Sequence, residues 1–136
     1  MLHDTKIALV LRSDLAGWQI ANVAAFLAGG LVGARPELPG FAYMDADGTS
    51  YAPLVRQPIL IFGASSRELA RTRSRALSRG STLNIYTAAL FATGNDADNR
   101  AAVAAVAGEA LDLVGLGVVD ERRIVDKIVN GLKLFG

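Results

Sequence analysis

Two aspartates stand near amide side chains at the starts of predicted helices, where a carboxylate can activate a water molecule. Asp14 follows an apolar run at residues 7–11, and Asp96 follows a Thr-Gly-Asn run. A carboxylate can act as a general base on a water molecule that a nearby amide orients. Asp14 and Asp96 are therefore the candidate catalytic residues, with Asn22 or Asn95 as the orienting amide.

Both aspartates also fit a structural role. Ser13 and Asp14 are residue types that cap helix N-termini, and Asp96 suits the positive end of a helix. Arg12 ends the strand that precedes Asp14, where it can pair with that carboxylate or with an anionic ligand. Open α/β sheets place ligand clefts at the carboxyl ends of their strands. The structural and the ligand-binding interpretations of Arg12 and Asp14 are therefore both open.

The first predicted helix carries two further candidate ligand-binding residues. Trp18, the single tryptophan, can stack on a base or ring or anchor a core or a dimer interface. Asn22 lies one turn later on the same helix face. Its amide must be hydrogen-bonded or exposed, so it serves either a structural bond or a ligand.

The segment that leads into the third predicted helix carries the remaining candidate ligands. Asn95, Asp96 and Asn99 can converge on one polar spot, and Thr93 just before them is a further candidate ligand, although capping alone accounts for the Thr, Asn and Asp of this run. Exposed amide groups at a helix N-terminus favour anions, whereas Asp96 and Asp98 oppose them. This segment therefore predicts an uncharged or cationic small molecule as the ligand.

One predicted helix concentrates positive charge in a nearly neutral chain, whose formal net charge is +1. Residues 61–80 carry five arginines against Glu68. A solvated helix face is the simplest interpretation, and contact with the phosphates of RNA, which salt would weaken strongly, is the alternative. The arginines assigned to the RNA alternative are Arg67, Arg71, Arg75 and Arg79.

The composition excludes several kinds of chemistry. The 136 residues include no cysteine and one histidine, His3, so thiolate metal sites, cysteine nucleophiles and two-histidine zinc motifs are excluded. We expect no metal and no cofactor. Residues 16–34 carry no charge, but they contain Gln19 and Asn22, and we predict a core helix rather than a membrane span. No export signal is evident, so we expect a cytoplasmic location and no membrane partner.

Alternating strands and helices must position these residues. Four strands are predicted from apolar runs at residues 7–11, 58–63, 82–86 and 113–119. Four helices are predicted at about residues 15–32, 66–79, 96–111 and 120–129. This alternation predicts an α/β fold, a three-layer sandwich whose four-stranded, mainly parallel or mixed sheet has helices on both faces. We expect a single domain, residues 1–136, with a hairpin insertion at about residues 36–55.

Turn and cap residues mark where these elements end. Gly48, in an Asp-Ala-Asp-Gly run, predicts a hairpin turn with positive φ. Ser65 with Glu68 predicts a capping box at the start of the second helix, and Gly80 is expected just past its end. Residues 132–135 form a short apolar tail that we expect to pack back on the body.

Three segments together resemble the type 2 peptidyl-tRNA hydrolase family. They are the strand, Arg-x-Asp-Leu turn and helix at residues 6–28, the strand and helix at 58–80, and the closing strand, acidic helix and Asn-Gly-Leu-Lys-Leu tail at 112–135. The resemblance implies that family's fold and hydrolysis of peptidyl-tRNA. It also implies lysines at the entry to the first helix, where this chain reads Ala-Gly-Trp-Gln, so the family's catalytic lysines are absent.

The chain is more closely similar to a bacterial family, the domain of unknown function 2000 family. Four motifs carry this resemblance: Arg-Ser-Asp-Leu at residues 12–15, Trp-Gln-x-x-Asn at 18–22, Asp-x-Asp-Gly at 45–48 and Thr-Gly-Asn-Asp at 93–96. The resemblance implies a peptidyl-tRNA-hydrolase-like fold and names no reaction.

These observations predict a domain that binds a small molecule or a partner on a peptidyl-tRNA-hydrolase-like fold. Hydrolysis of peptidyl-tRNA or a related ester or amide is the first alternative, and RNA binding through the arginine-rich helix is the second. We also expect a homodimer, because a second, small-sided stripe on the first helix allows close packing. The members of that stripe are Trp18, Asn22, Ala25 and Gly29.

Overall fold

The computed structural model describes residues 3–135 and contains four α-helices and two sheets. The main sheet consists of β1 (Thr5–Arg12), β4 (Ile59–Ala64), β5 (Leu83–Thr87), β6 (Leu113–Glu121) and β7 (Lys133–Leu134). A separate hairpin consists of β2 (Tyr43–Met44) and β3 (Ser50–Tyr51). The α-helices are α1 (Gly17–Ala34), α2 (Ser66–Ser78), α3 (Asp96–Ala104) and α4 (Arg122–Ile128).

The main sheet is mixed and has five strands in the order β5-β6-β1-β4-β7. Strands β1 and β4 are parallel, whereas the other neighbouring pairs are antiparallel. The prediction of a mixed sheet is confirmed, and its mainly parallel alternative and the count of four strands are wrong. The fifth strand is the tail: β7 pairs with β4, and the Phe135 N–H donates to the Ile61 carbonyl at 2.7 Å.

The third helix is shorter in the structure than predicted. The packing of the segment that contains it accounts for the antiparallel direction of β6 relative to β5. Helix α3 ends at Ala104 and buries no residue, and 3-10 turns at Ala88–Ala92 and Gly108–Ala110 flank it. A parallel return to the sheet needs a crossover that packs across one face. The segment between β5 and β6 does not pack in this way, so β6 returns antiparallel to β5.

The core lies on both faces of the two central strands, β1 and β6. Side chains alternate along β1, so Ala8 and Val10 join one apolar cluster while Ile7, Leu9 and Leu11 join another. Helices α2 and α4 contribute to the first cluster and α1 to the second. This burial on both faces explains why the two strands read as continuous apolar runs.

The predicted cap of α2 is confirmed, and the predicted cap of α1 is wrong. Ser65 Oγ accepts from the Glu68 N–H at 3.1 Å, and Glu68 Oε1 accepts from the Ser65 N–H at 2.9 Å. Helix α1 begins after Ala16, whose N–H donates to Gln19 Oε1 at 2.9 Å. Asp14 lies before this cap and takes no part in it.

Two other predicted turn features are also settled by the structure. Gly48 has φ +86° in the β2–β3 turn, and Gly80 has φ +70° beyond α2, as the sequence predicts. Strand β6 extends to Glu121, two residues beyond the predicted strand, so α4 begins at Arg122 rather than at about residue 120. The hairpin lies within the predicted insertion, and its strands have two residues each.

Candidate functional site

A groove between α1, the end of β5 and the start of α3 brings six of the predicted site residues together. The part of the groove beside the start of α3 has a volume of about 440 Å³. The predicted residues that line this part are Trp18, Asn22, Thr93, Asn95, Asp96 and Asn99. A neighbouring cavity of about 420 Å³ shares Phe26, Tyr86 and Leu90 with it. The two parts are therefore continuous, and we call them together the α1–α3 groove.

Four aromatic side chains form a continuous row along this groove. The ring centroids of Trp18 and Phe91 lie 5.6 Å apart in an edge-to-face arrangement. Tyr86 lies 5.2 Å from Phe91 and 5.9 Å from Phe26 by the same measure. Tyr86 is buried, whereas Trp18 and Phe26 are 65% and 60% exposed. The row therefore offers exposed ring surfaces at its two ends, with the rings of Phe91 and Tyr86 between them.

A hydrogen bond across the groove fixes the predicted amide of Asn22. Its Nδ2 donates to the hydroxyl oxygen of Tyr86 at 3.1 Å, which joins α1 to the end of β5. Among the residues that the structure describes, this is the only hydrogen bond of the Asn22 side chain. Its carbonyl oxygen and second N–H remain available, as does the Tyr86 hydroxyl hydrogen, so a bound molecule would find both donors and an acceptor here.

The polar wall of the groove is the turn that begins α3. Asn95 is the N-cap: its Oδ1 accepts from the Asp98 N–H at 2.9 Å, and its Nδ2 donates to Asp98 Oδ2 at 3.0 Å. The Thr93 hydroxyl contacts Asn99 Oδ1 and lies 2.9 Å from the Leu90 carbonyl. The capping role predicted for this segment is therefore present, and its side chains also face the groove.

The candidate base Asp96 is paired with a cation. Arg100, one turn later on α3, forms a salt bridge with its carboxylate, and both side chains are exposed. The positive charge of Arg100 offsets the charge that would oppose an anion here, and it contacts Oδ2, one of the two oxygens that a catalytic base would use. The groove therefore presents Asp96 and Arg100 as a neutral pair.

The other candidate base lies at a different place. Asp14 and Arg12 lie at the carboxyl end of β1, and neither lines the groove. Arg12 Nε donates to Asp14 Oδ1 at 2.7 Å, and its Nη1 donates to Asp112 Oδ1 at 3.0 Å. The bond to Asp14 and the two negative charges raise the pKa of Arg12. The two predicted catalytic aspartates thus do not share a site, and their catalytic role stays a prediction.

Sequence reasoning missed several residues that shape the groove. Phe26, Tyr86 and Phe91 come from three separate elements, and only the fold shows that their rings meet. Asn84 is the exception, because an amide inside an apolar strand requires a partner. Its Nδ2 donates to the Leu27 carbonyl of α1 at 3.0 Å, and its buried Oδ1 has no partner among the described residues.

A second cavity, of about 400 Å³, lies at the carboxyl ends of β1 and β4. The helices after these two parallel strands pack on opposite faces, and this is where open α/β sheets often bind ligands. Ser13, Glu68 and Lys133 contribute its polar groups. Glu68 is held in the α2 cap, where the N-cap N–H lowers its pKa, and the tail residue Phe135 lines the same cavity. This cavity therefore offers a ligand fewer free polar groups than the groove does.

The arginines of α2 make different contacts from one another. Arg75 Nη1 donates to the Asn130 carbonyl at 2.8 Å, so this residue ties α2 to the end of α4. Arg71 Nη2 lies 3.9 Å from Glu68 Oε2. The other two arginines assigned to RNA binding are exposed: Arg67 and Arg79. The four arginines therefore do not form a continuous row of side chains that are free of other contacts.

Within residues 3–135, no group of three or more His, Asp or Glu side chains is placed to hold a metal ion. In the same range, one helix, α1, is long and apolar enough to cross a bilayer, a property that it shares with core helices of soluble proteins.

Comparison with known proteins gives a family and a close structural neighbour. No curated protein matches the chain. A protein of unknown function from Agrobacterium tumefaciens strain C58 is 41% identical, with a TM-score of 0.96 over 99% of this chain and 100% of that one. The model of the family described as "Protein of unknown function (DUF2000)" matches residues 5–135. The chain therefore belongs to the DUF2000 family of proteins of unknown function.

Proposed function

We propose that the protein binds a small molecule in the α1–α3 groove, and that this molecule has a flat ring and an uncharged or cationic polar end. The observation that carries the proposal is the row of four aromatic rings beside the polar turn of α3. Ligand pockets are typically concave, mostly apolar and equipped with a few placed polar groups, at volumes of about 300–1,000 Å³. The groove has this composition and size.

The exposed ring of Trp18 supports stacking as the mode of binding. An indole that is 65% exposed and held edge-on by Phe91 offers a flat surface at little cost in side-chain freedom. The open hydrogen-bonding positions of Asn22 would then receive the polar edge of the ligand. Because Asp96 is paired with Arg100, the groove holds no single uncompensated charge that would select a strongly anionic molecule.

The proposal includes the architecture predicted from the resemblance, a three-layer, peptidyl-tRNA-hydrolase-like fold. The packing of α1 on one set of β1 side chains and of α2 and α4 on the other supports the three layers. Binding is favoured over ester hydrolysis because each candidate base is paired with an arginine, Asp14 with Arg12 and Asp96 with Arg100. Turnover of diacetyl-lysyl-tRNA that Asp14→Ala abolishes would reverse this preference.

Fluorescence of the single tryptophan provides the test. We expect that a library of nucleobases, aromatic amines and cyclic amides contains compounds that quench Trp18 and raise Tm. Asn22→Ala, in the groove, should weaken binding of such compounds about tenfold, the effect of one lost hydrogen bond with its desolvated partner.

A matched control separates binding from general damage. Asn130→Ala makes the same substitution at an exposed asparagine outside the groove and should leave affinity unchanged. The groove is not the binding site if no compound changes both the Trp18 fluorescence and Tm. The same conclusion follows if both substitutions lower the affinity equally.

A further inference from the structure

We propose that two copies of this chain associate through the β2–β3 hairpin and the outer face of α1. We call residues 41–54 the hairpin arm. Its large apolar side chains lie in solvent: Phe41 is 94% exposed, Met44 70% and Leu54 64%. Soluble proteins rarely expose contiguous apolar surface of this kind unless a partner covers it. Trp18 and Phe26 border both the outer face of α1 and the α1–α3 groove, so a partner's arm would lie beside the groove, and association is tested without any ligand.

The hairpin arm is held in shape before any partner binds. In its turn, Asp45 Oδ1 accepts from the N–H groups of Asp47 and Thr49, at 2.9 and 3.0 Å. Asp45 Oδ2 accepts from the Tyr51 hydroxyl at 2.8 Å. At its base, the Gly40 N–H donates to the carbonyl of the arm's last residue at 2.8 Å. Because the arm is ordered in advance, little conformational entropy is lost when it docks.

The outer face of α1 offers a matching surface on the same chain. Its exposed residues are aromatic or small: Trp18, Ala21, Ala25, Phe26 and Gly29. Residues 16–34 carry no charged side chain, so nothing on this face needs to remain in water. Small residues between two aromatic ones let a second backbone approach closely, with the rings at the edges of the contact.

Length and area suit a dimer between these two surfaces. The arm reaches about 20 Å from its base to its turn at roughly 3.3 Å per residue, and the 18 residues of α1 extend about 27 Å. Seven large side chains on the two surfaces expose on the order of 900 Å². A stable interface needs about 800 Å² from each partner, so one copy supplies enough surface.

Charge favours a second copy over a lipid surface. Helices that lie on membranes combine an apolar face with lysines and arginines that attract anionic lipid. The face of α1 has no basic residue, and the tip of the arm carries Asp45 and Asp47. Because the arm and the helix belong to one chain, a two-fold axis can place each arm on the partner's α1 and satisfy both contacts at once.

Sedimentation velocity of the full chain at micromolar concentrations tests the proposal. We expect a species of twice the 14.3 kDa chain mass. Ala25→Arg places a charge in the middle of the helix face and should give the single-chain mass. Leu54→Ser on the arm should weaken association at least about a hundredfold, because the dimer loses two buried leucines, one from each copy.

The same substitutions on α2 are the controls. Ala70→Arg and Leu77→Ser change exposed positions on that helix and should leave the dimer intact, while circular dichroism verifies that all four variants fold. A single-chain mass for the natural sequence would overturn the proposal, as would a dimer that survives both Ala25→Arg and Leu54→Ser. Cosedimentation of a monomer with phosphatidylglycerol vesicles would also overturn it, in favour of a lipid partner.

Discussion

The amide of Asn84 fits closely between two elements of the fold. Its Nδ2 bonds to the Leu27 carbonyl, and its amide fits between α1 and β6 because both neighbours are glycines. A Cβ on Gly117 would lie 2.6 Å from Asn84 Oδ1, and one on Gly30 would lie 2.9 Å from Nδ2. The two glycines therefore leave the space that the amide fills, and the amide holds the helix that forms one wall of the groove.

Replacing Gly117 by alanine should destabilise the protein by about 1–3 kcal/mol, the usual cost of overpacking a filled interior. The added methyl group would also meet the ends of Leu9 and Leu31, each at 3.1 Å, so no single side chain can move to relieve the clash. Urea unfolding followed by circular dichroism measures the loss. Gly17→Ala, where a Cβ meets nothing within 4 Å, is the control, and an equal loss in both variants would refute the steric explanation.

The bond between Asn22 and Tyr86 should contribute to stability as a pair. Asn22→Ala and Tyr86→Phe each remove it, so the double variant should lose less than the sum of the two single losses. The expected coupling is about 0.5–1.5 kcal/mol, measured by urea unfolding of all four proteins. Strictly additive losses would mean that water replaces the bond without penalty.

Some residues of the candidate site follow from sequence and others need the tertiary fold. Helical spacing alone places Trp18 and Asn22 on one face, and the Thr-Gly-Asn-Asp pattern predicts the cap at Asn95. Local pattern could not show that Tyr86 and Phe91 stand opposite Trp18, because that contact joins distant parts of the chain. The local pattern also assigns the cap of α1 to Asp14. In the structure, the Gln19 side chain instead accepts from an N–H of its own first turn and takes the place of an aspartate cap.

At the scale of the elements, the stability of the hairpin arm is expected to depend on pH through Asp45. The Tyr51 hydroxyl, and then the Thr49 N–H, donate to the Asp45 carboxylate and lower its pKa. A carboxylate with a lowered pKa in the folded state stabilises that state at neutral pH. The contribution is present above the pKa of the unfolded chain and is lost as the pH falls through the lower, folded value.

Removing the tyrosine hydroxyl should move this titration. In Tyr51→Phe, the Asp45 carboxyl loses its largest stabilising bond, so its pKa should rise towards the ordinary value for aspartate. Carbon NMR of the Asp45 carboxyl through an acid titration measures the midpoint. Tyr43→Phe, the exposed residue opposite Tyr51 in the hairpin, should leave it unchanged. A midpoint that is the same in all three proteins would contradict the predicted role of the hydroxyl.

At the same scale, the sequence predicts which segments form strands and helices better than it predicts how they are arranged. Apolar runs locate β1, β4, β5 and β6 because these strands pack against a core. Strand direction depends on whether the connecting segment crosses a face of the sheet, and the alanine-rich region around α3 has helical composition without an apolar stripe. The two-residue strand β7 forms only because β4 offers it an edge, so no local pattern marks it.

In the whole molecule, the apolar residues divide between a buried core and an exposed surface. The central strands bury theirs on both sides, which accounts for the continuous runs in the sequence. The remaining large apolar side chains are concentrated on the hairpin arm and the outer side of α1, where the folded single chain gives them no cover. A fold with this distribution gains stability when a second copy buries the exposed set.

This linkage predicts that stability depends on protein concentration. A dimer that dissociates on unfolding gains about 1.4 kcal/mol per tenfold increase in total chain concentration, which is RT ln 10. The urea midpoint of the natural sequence should therefore rise between about 1 and 100 μM, a range chosen to span micromolar association. Leu54→Ser should lower this dependence, and Leu77→Ser, on α2, should retain it. A midpoint that stays constant over the whole range would show that folding of one chain does not require the other, even if two chains are found together in solution.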